Sequence, residues 1–375
     1  MPAAYEVRVS DRLDVADDEL AALRYPEPPH TKAYLSAIAT AGLDCSFRFF
    51  TLRLDGRLLA MAYGFVIRYP LIGPLHLPVF LGGSPVNLGP PFHFASADLV
   101  EDTLDVLAGA MRGDAVTLGA KFLLLRDFWE PGPDEACGGL LRRLGFRRTP
   151  MFADAVLTVA WPDFDGYLAS LPGKTRKSVR RDARQVAAAG YHVEVHQGAL
   201  LPEAVATLHS LWINLYEKYR DPDQIFLTAD YFRRITALPE TVVILASHGG
   251  KLVGFDLLLA REGLLESTYS GLDHTHVGTV SLHRHMGHHI IRFALAHGYH
   301  TVDFGISNEA AKAKLGCRFR MSLGYLRPLS RFWSAVRIDR HMFPEPVMPS
   351  DLPRANVPAT VRRPLTSTPS QGEPE

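Results

Sequence analysis

Residues 299–325 read YHTVDFGISNEAAKAKLGCRFRMSLGY, and this stretch decides the fold. The run Thr301, Val302, Asp303, Phe304 has the composition of a buried strand and breaks at Gly305. A short helical segment carrying Lys312 and Lys314 follows, the chain turns at Gly316, and a second strand returns. An acidic strand residue, a Gly-Ile-Ser turn ending at Ser307 and a Lys-x-Gly close behind place charge at the C-terminal edge of a strand. In mixed α/β folds that edge is where ligands sit.

The chain has 375 residues, more than one ordinary domain, and two is the expectation from length. Apolar residues at 47% and charged residues at 21% describe a soluble globular protein with material for real cores. Formal net charge is zero, so no global field draws the chain to nucleic acid or membrane. Affinity for a polyanion has to come from a local patch. Cys45, Cys137 and Cys317 lie far apart without CxxC spacing, which argues against a disulfide framework or a zinc site. That usage fits a reducing cytosol, and a cytoplasmic location is expected. No apolar run reaches the roughly 18 residues of a membrane span, and MPAAYEVRVSD is not a signal peptide.

In chain order, a strand at 5–9 precedes helices near 17–24 and across 31–41. A hairpin follows, 47–54 and 57–69 around Asp55-Gly56, a strong turn signal between β-type runs. Next come a Pro/Gly-rich loop over 69–94, a helix over about 96–112, an apolar strand at 121–126, a short helix at 136–144 and a strand at 153–160. The second half repeats the order: strand 192–196, helices 202–219 and 229–238, and a hairpin 241–260 around Gly249-Gly250. Strand 264–270, helix 279–297 and the opening stretch complete it. DGRLLAMAYGF aligns with GGKLVGFDLLL, and RRLGFR with AKLGCR. A repeat this long is a duplicated domain. The expected units are an N-terminal domain at 1–160, a basic linker helix at 161–190, a C-terminal domain at 191–343 and a disordered tail at 344–375, rich in Pro, Ser and Thr.

The order β, two helices, β-hairpin, β, helix, β, helix, β is that of the GNAT acyltransferase fold. A tandem pair of such units, a basic helix between them and DFGIS…AKLG near the end resemble the FemAB/FemX aminoacyltransferases and, equally, their BioF2-like acetyltransferase relatives. The resemblance covers about 47–327. It implies a mixed-sheet α/β (α+β) protein of two tandem GNAT-like domains arising by duplication. It further implies transfer of an aminoacyl group from aminoacyl-tRNA, or an acyl group from acyl-CoA, to an amine or hydroxyl of a small-molecule or peptide acceptor. Cell-wall precursor or natural-product biosynthesis is the implied setting, with the donor a co-substrate rather than a permanent cofactor. The alternative, from another class, is a binding protein that keeps the GNAT scaffold without the chemistry.

LPGKTRKSVRRDARQVAAAGYHVEV is the most charged segment, with Lys174, Arg176, Lys177, Arg180, Arg181 and Arg184 in close succession. Val179, Ala183, Val186 and Ala187 recur at helical spacing and are expected to form the buried stripe. Cations in the first turns oppose the helix dipole, so a helix start that accumulates them suits a phosphate. The charge fits a coenzyme A pyrophosphate or a tRNA acceptor stem, and the count does not choose. In acetyl-CoA-dependent relatives a Gly-rich loop of the pattern Gln/Arg-x-x-Gly-x-Gly/Ala cradles the pyrophosphate; here LDHTHVGTVSLHRH supplies Gly278 and Thr279 but not the Arg/Gln or the second glycine. That departure points towards an aminoacyl-tRNA donor.

Direct acyl transfer to an amine needs a neutral nucleophile, a polarised carbonyl and a proton acceptor. Glu266, Tyr269 and Asp303 are expected to point to the same sheet region as Lys314. Tyr269 is assigned to the leaving group or the acceptor, and Asp303 to the amine. The resemblance implies that Lys314, in the matching Lys-x-Gly turn, stabilises the oxyanion, with Lys312 turned away. Eight of the sixteen histidines fall between His274 and His300. His285 and His289 share a helix face, but without HExxH or a flanking carboxylate they read as surface histidines rather than a metal site.

Overall fold

Asp55 and Gly56 both sit at positive φ (49° and 79°), as do Gly249 and Gly250 (57° and 76°). Two consecutive left-handed residues make the tight turn whose twist matches a β-hairpin, and they fix both expected hairpins. The computed structural model describes residues 5–336 and Pro353, except 73–74, 130–131, 133–134, 220–223, 277 and 279. The expected tail at 344–375 lies outside the described residues apart from Pro353, whose carbonyl accepts the Phe319 N–H at 2.8 Å.

The first copy contains β1 (Glu6–Ser10), α1 (Asp17–Ala21), α2 (Lys32–Ala39), β2 (Ser46–Leu54), β3 (Arg57–Ile72), β4 (Leu75–Gly82), β5 (Phe92–Phe94), α3 (Leu99–Thr117), β6 (Phe122–Trp129), α4 (Glu135–Arg143) and β7 (Arg147–Thr158). The second begins with α5 (Phe164–Ser170) and α6 (Gly173–Ala188), the basic helix. It continues through β8 (Tyr191–Gln197), α7 (Pro202–Tyr219), α8 (Ala229–Ile235), β9 (Thr241–His248), β10 (Lys251–Arg261) and β11 (Leu264–Leu272). It closes with α9 (Leu282–Ala296), β12 (Thr301–Asp303), α10 (Glu309–Lys314), β13 (Arg318–Pro328) and α11 (Arg331–Val336).

The Pro/Gly stretch at 69–94 is not a plain loop. It carries the end of β3, all of β4 and β5, and so supplies the strand that makes the two copies equivalent. Pro78 reads as a breaker, yet it sits within β4 opposite Arg68, and its carbonyl accepts the Lys121 N–H at 2.8 Å.

Among the described residues the chain forms one 13-stranded mixed sheet, ordered β1, β2, β3, β4, β6, β13, β7, β12, β11, β10, β9, β8, with β5 beside β3. The last strand of each copy is exchanged. β13 bonds to β6 of the first copy, β7 bonds to β12 of the second, and the two pair with each other from Arg318↔Val156 to Leu326↔Arg147. A pseudo-two-fold therefore runs through the middle of the sheet, which is continuous across it.

Strand alternation decides which core each residue enters. Val243 and Leu245 of β9 face a core shared by both copies, where α2 and α7 both pack against α8. Val242, Ile244 and Ala246 face a second core under α5, α6 and α9. A third core lies under α3 and α4 in the first copy.

Candidate active site and donor cleft

Parallel pairing occurs at two places, β4 with β6 and β11 with β12. The second holds for only three residue pairs, ending at Glu266↔Asp303. Beyond it β12 stops and Gly305, at φ 68°, turns the chain away while β11 runs on to Leu272. A split between parallel strands opens there, with two carboxylates at its root.

Those carboxylates are held by different partners. Asp303 accepts the Gly305 N–H at 2.7 Å and Arg320 Nη2 at 2.9 Å. Arg320 also donates Nε to Asp154 at 2.7 Å and lies 3.7 Å over the Trp129 ring. Burial, reinforced by the Asp303 charge, pushes the Asp154 carboxyl above the usual carboxylate range against the pull of Arg320. Glu266 sits 3.5 Å from Arg261 and 3.7 Å from His30, and burial drives its carboxyl up to about 8 against the pull of Arg261. Burial, aided by Arg261, keeps His30 well below its ordinary range, so it is neutral.

A bulge in β11 aims Tyr269. Leu257 faces Tyr269 and Leu258 faces Ser267, which leaves Thr268 as the extra residue. The bulge returns Tyr269 to the face of Glu266, as bulges near functional sites do. Tyr269 meets Trp212 and Tyr231 edge-on at 6.4 and 6.1 Å, and burial raises its phenol. His30, Tyr34, Asn87, Tyr63 and His93 of the first copy close over this side. Arg261 Nε and Glu266 Oε2 are buried there without a hydrogen bond, Oε2 keeping only the long 3.5 Å ion pair to Arg261. Unpaired polar atoms in a dry interior are costly, and they cluster where a ligand completes the bonding.

On the opposite face, a cleft of ≈ 340 Å³ lies between the end of β11, the start of α9 and α10. Arg284, His276, Asn308, Gly278 and Lys314 are among its walls. The α9 N-cap, Ser281, makes no side-chain cap, so the first-turn N–H groups add to the positive end of the helix. Thr279 lies outside the described residues.

The expectation for the two lysines is reversed in its geometry. Lys312, expected to turn away, is the buried one. It donates to the carbonyls of Gly305 (2.9 Å) and Ile306 (2.6 Å), and burial lowers its pKa while Asp154 and Asp303 hold it up. Lys314 is exposed on the cleft side. The expectation that Glu266, Tyr269, Asp303 and Lys314 converge is thus corrected: Glu266 and Tyr269 look into the shared core, and Lys314 lies across the sheet. Ser307 is exposed at φ 67° beside the left-handed Asn308 that caps α10. Asp256, which spacing did not single out, is buried, and that burial raises its carboxyl to about 8 against the pull of Lys312.

The basic helix α6 buries Val179, Asp182 and Val186, while Ala187 is exposed. Asp182 takes part of the expected apolar stripe because Arg284 of α9 pairs with it. Arg284 also donates to Ser178 at 3.3 Å, which fixes α6 beside the first turn of α9. Lys174, Lys177, Arg180 and Arg181 are exposed, whereas Arg176 donates to the Ala169 carbonyl at 3.0 Å. None of these five lines the cleft itself. Neither Asp182 nor Asp256 carries a motif that names it; an acid inside a basic amphipathic helix is the only signal for the first.

A family profile described as an acetyltransferase (GNAT) domain matches residues 173–313, from the first residue of α6 into α10. Among solved structures the chain is similar to FemX, at 14% identity over 86% of this chain and 99% of that one, TM-score 0.58. It is similar to a tandem GNAT protein from the clavulanic acid biosynthesis pathway, at 14% identity over 87% and 99%, TM-score 0.56. It also resembles L-PGS from Bacillus licheniformis, at 15% identity over 82% and 91%, TM-score 0.53. No curated protein sequence matches the chain. Among the described residues no helix is long and apolar enough to cross a membrane, and no group of three metal-ligating side chains comes together.

Proposed function

The chain has the tandem GNAT fold of the FemX type, and from that premise we propose that it is an acyltransferase working at the β11–β12 split. The reading rests on one juxtaposition: a cation-lined cleft at the start of α9 on one side of the split, and buried carboxyls at its root. The donor enters through the cleft, its phosphates meeting Arg284, Lys314 and the α9 N–H groups. The exposed cations of α6 extend that surface, which suits a donor longer than a nucleotide, such as a tRNA acceptor stem. Acyl-CoA is the shorter donor with the same phosphate chemistry.

The acceptor approaches from the Tyr269 side. Its amine (or hydroxyl) attacks the acyl carbonyl, and the bond to the thiolate sulfur of coenzyme A or to the tRNA ribose oxygen breaks. Glu266 or Asp303 takes the proton of the attacking group, and the leaving group is protonated in turn. A carboxyl poised near 8 suits that exchange at neutral pH. The acceptor is a small molecule or peptide from cell-wall or natural-product chemistry.

The test is a donor screen with mixed labelled aminoacyl-tRNAs and acyl-CoAs, following donor hydrolysis without acceptor. Slow hydrolysis of one donor class, competed by uncharged tRNA or by coenzyme A, is expected. Absence of turnover with every donor would leave a scaffold that binds without reacting.

A further inference from the structure

A second cleft, ≈ 360 Å³, opens between α3 and the C-terminal turn of α4, away from the β11–β12 split. Asp105, Ala108, Gly109 and Arg112 lie at i, i+3, i+4 and i+7 of α3 and so form one helix face along its wall. A Cβ added at Gly109 would meet nothing within 4 Å, so the small residues leave the floor open. Arg143 comes from the end of α4 and Arg327 from β13.

Three guanidinium groups on three separate elements thus face one space. Helix-end electrostatics accounts for Arg143, in the last turn of α4, which also pairs loosely with exposed Glu101 at 3.4 Å. It does not account for Arg112, which stands more than a turn before the end of α3 and has no ion pair among the described residues. Nor does it account for Arg327, tied at one end to the Leu144 carbonyl and stacked 5.6 Å over Phe146. Burial and the nearby Arg112 charge pull Arg327 below its ordinary range, with only Asp105 opposing them. Cations held together in this way are relieved by an anion.

We propose that this cleft is a second anion site that takes the phosphate group of a small phosphomonoester. The guanidinium fork matches phosphate oxygens in pairs, and three forks exceed what the single lining carboxylate neutralises. The volume is larger than a phosphate and leaves room for a small organic residue. The site is independent of acyl transfer.

The test is calorimetric titration of the full chain with inorganic phosphate and with phenyl phosphate at constant ionic strength. Saturable millimolar binding is expected, tighter for the ester. Arg112→Gln with Arg143→Gln changes two exposed side chains, so folding is retained, and should raise Kd roughly tenfold or more. Arg284→Gln, in the donor cleft, should leave this binding unchanged. Binding that survives the double substitution, that vanishes with Arg284→Gln, or that never saturates overturns the site and leaves the acyl-transfer reading where it stood.

Discussion

Lys312 and Lys314 stand two residues apart, about 200° around a helix, and so cannot share a task. The buried lysine holds two turn carbonyls and faces the buried carboxyls of Asp154, Asp256 and Asp303; the exposed one faces the cleft. Lys314→Ala should raise donor Kd roughly tenfold, as for loss of one phosphate contact in the cleft, with kcat much less affected. Lys312→Ala should instead cost about 1–3 kcal/mol in urea unfolding, because two carbonyls lose their donor. Silence of Lys314→Ala beside a Lys312→Ala that folds normally but does not turn over would exchange the roles. Glu266 brings a pH dependence. Its carboxyl, at about 8, must be ionised to act as base, so kcat/KM should rise from pH 7 to 9. Glu266→Gln should remove that limb; a limb that persists assigns the base elsewhere. Asp256 carries the linked stability effect. Its folded value of about 8 stands above the ordinary 3.8, so the folded chain binds the extra proton between those values. Its contribution is fully present below about pH 4 and declines up to pH 8. Asp256→Asn should flatten the fall of unfolding free energy across that window by up to about 1.4 kcal/mol per pH unit.

At the scale of elements, α6 and α9 act as a pair. The Asp182–Arg284 contact and the Ser178 bond place a row of exposed cations beside the first turn of α9. Replacing Lys174, Lys177, Arg180 and Arg181 with Gln should flatten the salt dependence of tRNA binding by roughly 0.7–0.9 in log–log slope for each phosphate no longer neutralised, the range from single strand to duplex. An unchanged slope with folding intact would make α6 a solvated face. Much of this level was legible in the chain. Asp55-Gly56 and Gly249-Gly250 announce their hairpins because left-handed pairs are a local demand, and the LGF and LGC turns mark both copies for the same reason. What stayed hidden depended on distant partners. β4 lay within prolines whose breaking tendency is overridden by pairing with β3 and β6 on either side. The side chosen by Lys312 follows from Asp154 and Asp256, which lie far from it in sequence, acting together with Asp303. Tyr269 faces Glu266 only through a bulge that no residue pattern marks.

For the whole molecule, the decisive feature is the exchange of β7 and β13. A cut near residue 160 separates the copies in sequence but strands β7 with the wrong partner. Residues 1–160 and 161–375 expressed alone should lack cooperative near-ultraviolet circular-dichroism transitions, and co-expression should restore one complex on size exclusion. A fragment 161–375 that unfolds cooperatively by itself would show that the central pairing is dispensable. The same exchange has a bearing on how the protein is made. While the chain leaves the ribosome, β6 (Phe122–Trp129), buried along almost its whole length in the finished sheet, has β4 on one side and no neighbour on the other. Its neighbour is not synthesised until residue 318, roughly ten to forty seconds later at ordinary elongation rates. Throughout that interval the nascent first copy presents an open apolar edge, the surface most prone to pairing with another chain. Its soluble yield should therefore rise when chaperones are co-expressed, and a yield indifferent to them would show that the open edge of β6 is protected in another way.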